Sequence, residues 1–91
     1  MLELLALDCL PEGQSAYVTE IHNEPSMHRR LADLGLIPGT QITCLCRSPA
    51  GDPTAYLIRS AVIALRNRDA AQIQVEPVHA PIAAVTVEAP A

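Results

Sequence analysis

Three cysteines, three histidines and six arginines are the side chains of this sequence with the most chemistry to offer. Cys44 and Cys46 stand two residues apart, which on a regular strand puts both thiols on one face, and thiolates are good ligands for soft metals. A closed zinc site needs about four ligands, and Cys9 is the one further thiol. Strand cysteines aimed at a core more often act as small apolar residues, and that is the expectation for this pair. His22, Glu24 and His28 form a second, weak candidate set for ferrous ion or zinc. Their spacing lacks the i, i+4 histidine pair that sets two imidazoles on one helix face, so solvated side chains are expected there. The resulting expectation is no resident cofactor.

Catalysis finds no foothold. There is no recognisable nucleophile–base pattern and no glycine–lysine phosphate loop. Asp52, between Gly51 and Pro53 in a loop dense in turn formers, is expected to fold its carboxylate onto its own backbone as an Asx-turn. The chain therefore reads as a non-enzyme.

The arginines are the more informative set. The chain is acidic overall, with a formal net charge of −4, and all six of its basic residues are arginines. They fall between residues 25 and 68, where only Asp33 and Asp52 oppose them. Such clustering marks either a solvated surface or a face for an acidic partner. Arg29, Arg30, Arg66 and Arg68 are the candidates for that face. With two tyrosines and no Phe or Trp, stacking on bases is not available, so nucleic acid is not the expected partner.

One stretch has to position these residues. From Pro25 to Thr40, Met27, Leu31 and Leu34 recur at i, i+4, i+7, the spacing of one apolar helix face, with His28, Arg29 and Arg30 on the other sides. Pro25 suits a first helical turn. Gly35 suits a left-handed C′ position followed by Leu36 packing back on Leu31, a Schellman motif. Pro38-Gly39 then predicts a type II turn.

Around this helix the pattern is strand-like. Leu2–Leu10 fits a strand or a helical turn. Gln14–His22 fits a strand, with a bulge near Thr19-Glu20 because Val18 and Ile21 both seek the core. Thr40–Arg47 alternates, with Ile42, Cys44 and Cys46 on one side. Thr54–Arg59 and Ala61–Arg66 are two more strands, the latter apolar enough to be covered on both faces. Asn67–Asp69 predicts a turn, and Gln72–Val75 a last strand. The expected architecture is mainly β, a small barrel over residues 1–76 with one inserted short α-helix. Residues 77–91 are expected to be a flexible Ala/Pro-rich tail, although Ile82–Val87 has the composition of an edge strand in this chain or a neighbour's. Nothing in the apolar pattern suggests membrane insertion. The lack of a basic start and the odd thiol count point to the cytoplasm.

LADLGLIPGT, ITCLCRSPAGDP and AVIALR followed by AAQIQV, in that order and spacing, resemble the FeoA family of bacterial ferrous-iron transport accessory proteins over about residues 5–76. The residues carrying the likeness include Leu31, Leu34, Gly35, Pro38, Gly39, Gly51, Asp52 and Pro53. The resemblance implies an SH3-like β-barrel and a cytoplasmic, non-enzymatic regulator. Its partner would be the cytoplasmic part of FeoB, the membrane ferrous-iron transporter, which would recruit it to the inner membrane face. The alternative is a metal-sensing or transition-metal-binding domain, since the same fold closes DtxR-like repressors, whose DNA-binding part this chain lacks. A homo-oligomer is compatible with either.

Overall fold

A computed structural model describes residues 4–78. Its elements, in chain order, are β1 (Leu5–Ala6), a 3-10 turn (Leu7–Cys9), β2 (Ser15–Ile21), α1 (Pro25–Asp33), β3 (Gln41–Arg47), β4 (Thr54–Ile58), β5 (Ala61–Leu65), α2 (Asn67–Ala70) and β6 (Ile73–Pro77). The six strands form one antiparallel sheet in the order β1-β6-β2-β3-β4-β5, the mainly β, SH3-like architecture expected. Leu2–Leu10 resolves into both of its alternatives, a two-residue strand followed by a helical turn. The bulge in β2 falls where expected, with a register shift between Val18 and Glu20 against β6.

The α1 C-terminus carries a complete stop signal. Leu36 N–H donates to Leu31 O at 2.8 Å and Gly35 N–H to Ala32 O at 2.9 Å, the paired bonds of a Schellman motif. Gly35 has φ +95 and Gly39, after Pro38, has φ +94, so the type II turn also stands. Leu31 and Leu36 are fully enclosed, whereas Leu34 is 45% exposed. The expected Met27/Leu31/Leu34 stripe is therefore corrected. The left-handed turn at Gly35 swings the chain so that Leu36 takes the inward place, leaving Leu34 at the groove described below.

Three further expectations change. Ala61–Leu65 is not covered on both faces: β5 ends the sheet, and Val62 is 66% exposed. Asn67–Asp69 is the start of α2 rather than a simple turn. Pro77 does not end the barrel, since β6 includes it and Val78 N–H donates to Ser15 O at 2.9 Å. The expected flexible tail beyond this point lies outside the described residues.

The core is aliphatic (Leu7, Leu10, Leu31, Leu36, Ile42, Ile58, Ile73 and Val75 among others) with one large aromatic side chain, Tyr56, wholly enclosed. Its hydroxyl has no hydrogen-bond partner among the described residues. Burial, with a smaller contribution from Cys44, pushes the phenol up to about 12 from 10.0. The folded state thus holds a proton that the unfolded chain releases earlier, so this group's contribution is intact below pH 10 and is lost as pH rises toward 12. Tyr56→Phe should remove that alkaline loss and cost little at neutral pH, because the deleted hydroxyl is unpaired. Denaturant melts of both proteins across pH 8–12 check this (an interval set by the two values above).

At Gly35 an added Cβ would lie 2.7 Å from Arg59 Cδ, on top of the cost of positive φ. Gly35→Ala should destabilise the domain by about 1–3 kcal/mol. Pairing it with Arg59→Ala should recover the collision but not the backbone cost. Melts of Gly35→Ala that superimpose on wild type would refute the assignment.

Candidate functional site

The six arginines divide into two groups. Arg47 is structural: its Nη2 donates to the carbonyls of Asp8 (3.2 Å) and Leu10 (3.1 Å), clamping the 3-10 turn. Arg59 is structural too, its Nε donating to Gly35 O at 3.3 Å. Arg29, Arg30, Arg66 and Arg68 make no side-chain hydrogen bond, and no arginine lies within 4 Å of a carboxylate, among the described residues. Among the described residues, the four expected partner-binding arginines are thus the ones whose side chains take no such structural role.

Two of them converge. Between α1 and β5 runs a groove of about 280 Å³, floored by Met27, Leu31, Leu34, Ile63 and Leu65 and edged by Arg30, Arg66 and Asp69. Arg68 edges an adjoining cleft that shares Met27 and Asp69. Arg29 does not join them, since it lines a separate concavity with Pro25 and His28. Residues adjacent on a helix are about 100° apart around its axis, so Arg29 and Arg30 serve different sides. The concavity on the outer sheet face, around Gln41, Thr43, Leu57 and Ser60, carries one charge, Arg59, already engaged with Gly35. The α1/β5 groove is therefore the candidate site: an apolar floor between two guanidiniums that form no ion pair among the described residues.

Two tethers that the sequence did not reveal hold its walls. At the C-terminal end of α1, Arg59 in the β4–β5 turn holds Gly35 O. At the N-terminal end, Asn23 Nδ2 donates to Asp69 O, 3.1 Å away. The signal for Arg59 was faint: it and Ser60 form a two-residue hairpin loop with φ 49 and 71, a left-handed pair more often built from Asn and Gly.

Asp52 is corrected in detail. Its Oδ1 accepts from Asn67 N–H at 2.9 Å, capping the start of α2 instead of its own loop. Asn67 Nδ2 in turn donates to Gly51 O at 2.7 Å, and the Thr54 hydroxyl to Asn67 Oδ1 at 3.1 Å. Gly51-Asp52-Pro53 is thus bound to the segment that carries Arg66 and Arg68.

The thiol pair is corrected as well. A register shift between Cys44 and Cys46 against β4 breaks the alternation, so Cys44 faces the core and Cys46 faces outward. Burial pushes the Cys44 thiol up, away from the thiolate form a metal would need. His22 pairs with Glu20 at 2.9 Å on the surface. Among the described residues no three of His, Cys, Asp or Glu gather as a metal set, and no helix is long and apolar enough to cross a membrane.

Residues 5–77 match the FeoA domain family. A curated relative, the Fe(2+) transport protein A/Fe(2+) transporter FeoB fusion protein of Porphyromonas gingivalis, is 31% identical over 72 residues; the match covers 79% of this chain but 8% of the fusion's length. The solution structure of FeoA from Chlorobium tepidum superimposes with a TM-score of 0.79 at 34% identity, covering 81% of this chain and 70% of that one. FeoA of Stenotrophomonas maltophilia, an SH3 domain protein solved in complex with zinc, gives a TM-score of 0.66 at 28% identity, covering 78% and 88% of the two chains.

The opposite orientations of Cys44 and Cys46 set a simple expectation. A thiol reagent should titrate Cys9 and Cys46 in the folded protein and Cys44 only on unfolding, because reactivity follows exposure and thiolate character. Cys46→Ser should remove one fast-reacting equivalent. Equal reactivity of Cys44 and Cys46 would place both on one face after all.

Proposed function

The chain belongs to the FeoA domain family, and from that premise we propose that it is a non-enzymatic accessory protein of ferrous-iron transport that binds the cytoplasmic region of a FeoB-type transporter. The observation that carries this reading is the Porphyromonas gingivalis relative, in which the two components are named as one fusion protein. Components joined in one organism commonly work together as separate chains in another. Three unpaired thiols among the described residues suit a reducing compartment, in keeping with a cytoplasmic protein drawn to the inner membrane face by its partner.

The contact surface we propose is the α1/β5 groove with Arg30 and Arg66, extended by Arg68 beside it, while Arg29 adds charge from the neighbouring side of the helix. Free guanidiniums around an apolar floor suit an acidic, partly apolar surface, and Arg can bind carboxylates in bidentate fashion. The metal-binding alternative draws on the zinc complex of the Stenotrophomonas maltophilia relative. It is the weaker reading, since the candidate ligands His22, Glu24, His28, Cys44 and Cys46 do not form a group, and we propose no resident metal or other cofactor.

Arg30→Glu/Arg66→Glu should leave the thermal melt nearly unchanged, because exposed charges contribute roughly 0–1 kcal/mol to folding. It should weaken binding to the transporter's soluble region by roughly tenfold or more at low salt. The wild-type interaction should itself weaken as salt rises, since the Debye length is about 8 Å at physiological ionic strength. Titrations of the two proteins across a salt series decide it. Equal affinities would move the contact off this groove.

A further inference from the structure

Among the described residues the outer edge of β5 has no partner strand; it lies beside the same groove. β5 ends the sheet order. Ile58 pairs with Ala61 across the two-residue Arg59-Ser60 loop, which makes that pair the one exchanging hydrogen bonds, with alternation thereafter. Ala61, Ile63 and Leu65 therefore spend their backbone groups on β4, while Val62 and Ala64 turn N–H and C=O to the open side. A strand added there would bring one set of side chains over Met27, Leu34 and Ile63 in the groove. Its other set would lie beside Val62, which with its β4 neighbour Leu57 is exposed on the outer face. The occupant must be apolar on both faces and extended, and it would gain from a carboxylate near Arg30 and Arg66.

The chain itself contains such a segment. Residues 82–88 read Ile-Ala-Ala-Val-Thr-Val-Glu, an uncharged run rich in β-branched residues ending in Glu88, the one acidic residue after Glu76. Pro81 and Pro90 bound it. We propose that residues 82–88 of a second copy of this chain add to the β5 edge, with Glu88 meeting the Arg30/Arg66 pair.

The second copy is favoured by reach. Val78 bonds Ser15, and the pairs Ser15–Thr43, Thr43–Leu57 and Leu57–Val62 step across the sheet to β5. A strand beyond β5 is then five spacings from β6, about 24 Å at about 4.8 Å each, whereas Val78 to Ile82 spans at most about 14 Å. Reciprocal exchange of the two tails closes a two-fold dimer and covers an edge that would otherwise invite uncontrolled pairing.

The proposal concerns the protein alone and needs no transporter, so it stands or falls apart from the iron-transport reading. The test is sedimentation of the 91-residue chain over a concentration series, with Ala64→Pro and Glu88→Arg alongside. Proline is tolerated on an edge strand but removes the outward donor at position 64; circular dichroism and a melt verify folding. Glu88→Arg lies outside residues 5–77, the part that matches the family domain. Wild type should dimerise, and each variant should do so roughly tenfold or more weakly. Joining Glu88→Arg to Arg30→Glu/Arg66→Glu should restore association. A synthetic peptide of residues 80–91 added in excess should dissociate the wild-type dimer. A chain monomeric at every concentration, or a dimer indifferent to both Ala64→Pro and Glu88→Arg, would overturn the proposal.

Discussion

One carbonyl organises the grooved end of this barrel. Gly35 O, freed by the left-handed turn that ends α1, accepts the Thr40 hydroxyl at 3.1 Å and Arg59 Nε at 3.3 Å. The first bond fixes the path from α1 into β3, and the second ties α1 to the β4–β5 hairpin. Because Gly35 lacks a Cβ, the Arg59 stem can approach to a distance that any other residue would block. At the opposite end of α1, Asn23 holds the Asp69 carbonyl. Between these two ties the helix and β5 are held side by side without merging, and the groove is the space left between them. Its apolar floor stays open because Leu36, and not Leu34, follows the turn into the core.

The same tethers explain how the charge is distributed. Arg47 and Arg59 are committed to backbone carbonyls at chain crossings, where a long stem with a planar head can satisfy groups from several segments. Arg30 and Arg66 stand across the groove from one another with Asp69 nearby but no carboxylate within bonding range among the described residues. Two like charges facing over a shared apolar floor gain nothing for folding, so their arrangement is better accounted for by something that arrives from outside. The network from Asp52 through Asn67 to Thr54 fixes the segment carrying Arg66, which links the Gly51-Asp52-Pro53 loop to the site without contact.

Features set by neighbours in the chain were legible in the sequence. The Schellman turn, the Pro38-Gly39 turn and the β2 bulge each depend on a few consecutive residues, and each stands where expected. Most of what failed was set by partners far along the chain. Cys44 and Cys46 alternate correctly in isolation, but a register shift against β4 turns the second outward, and a one-residue slip reverses every later side chain. Ala61–Leu65 reads as a buried strand because its composition is apolar, yet composition cannot say whether a strand is central or terminal. Arg29 and Arg30 look equivalent until β5 is placed beside one of them. The groove itself was invisible, because it is made by Arg59 and Asn23, two residues with no motif of their own.

An apolar edge strand beside an apolar groove is costly for a protein to leave open, since unpaired edges template aggregation. Selection normally blunts such edges with lysine, proline or a bulge, and β5 has none of these within it. Val62 is the most exposed large apolar side chain among the described residues. An edge of this kind persists when covering it has a use, and both uses argued above draw on the same two arginines. A tail strand seated on β5 would occupy the guanidiniums proposed for an acidic transporter surface, so the two proposed uses of this groove would exclude each other. Linkage then requires each to weaken the other by the same free energy, and the concentration of the protein itself becomes a variable in how readily its partner is met.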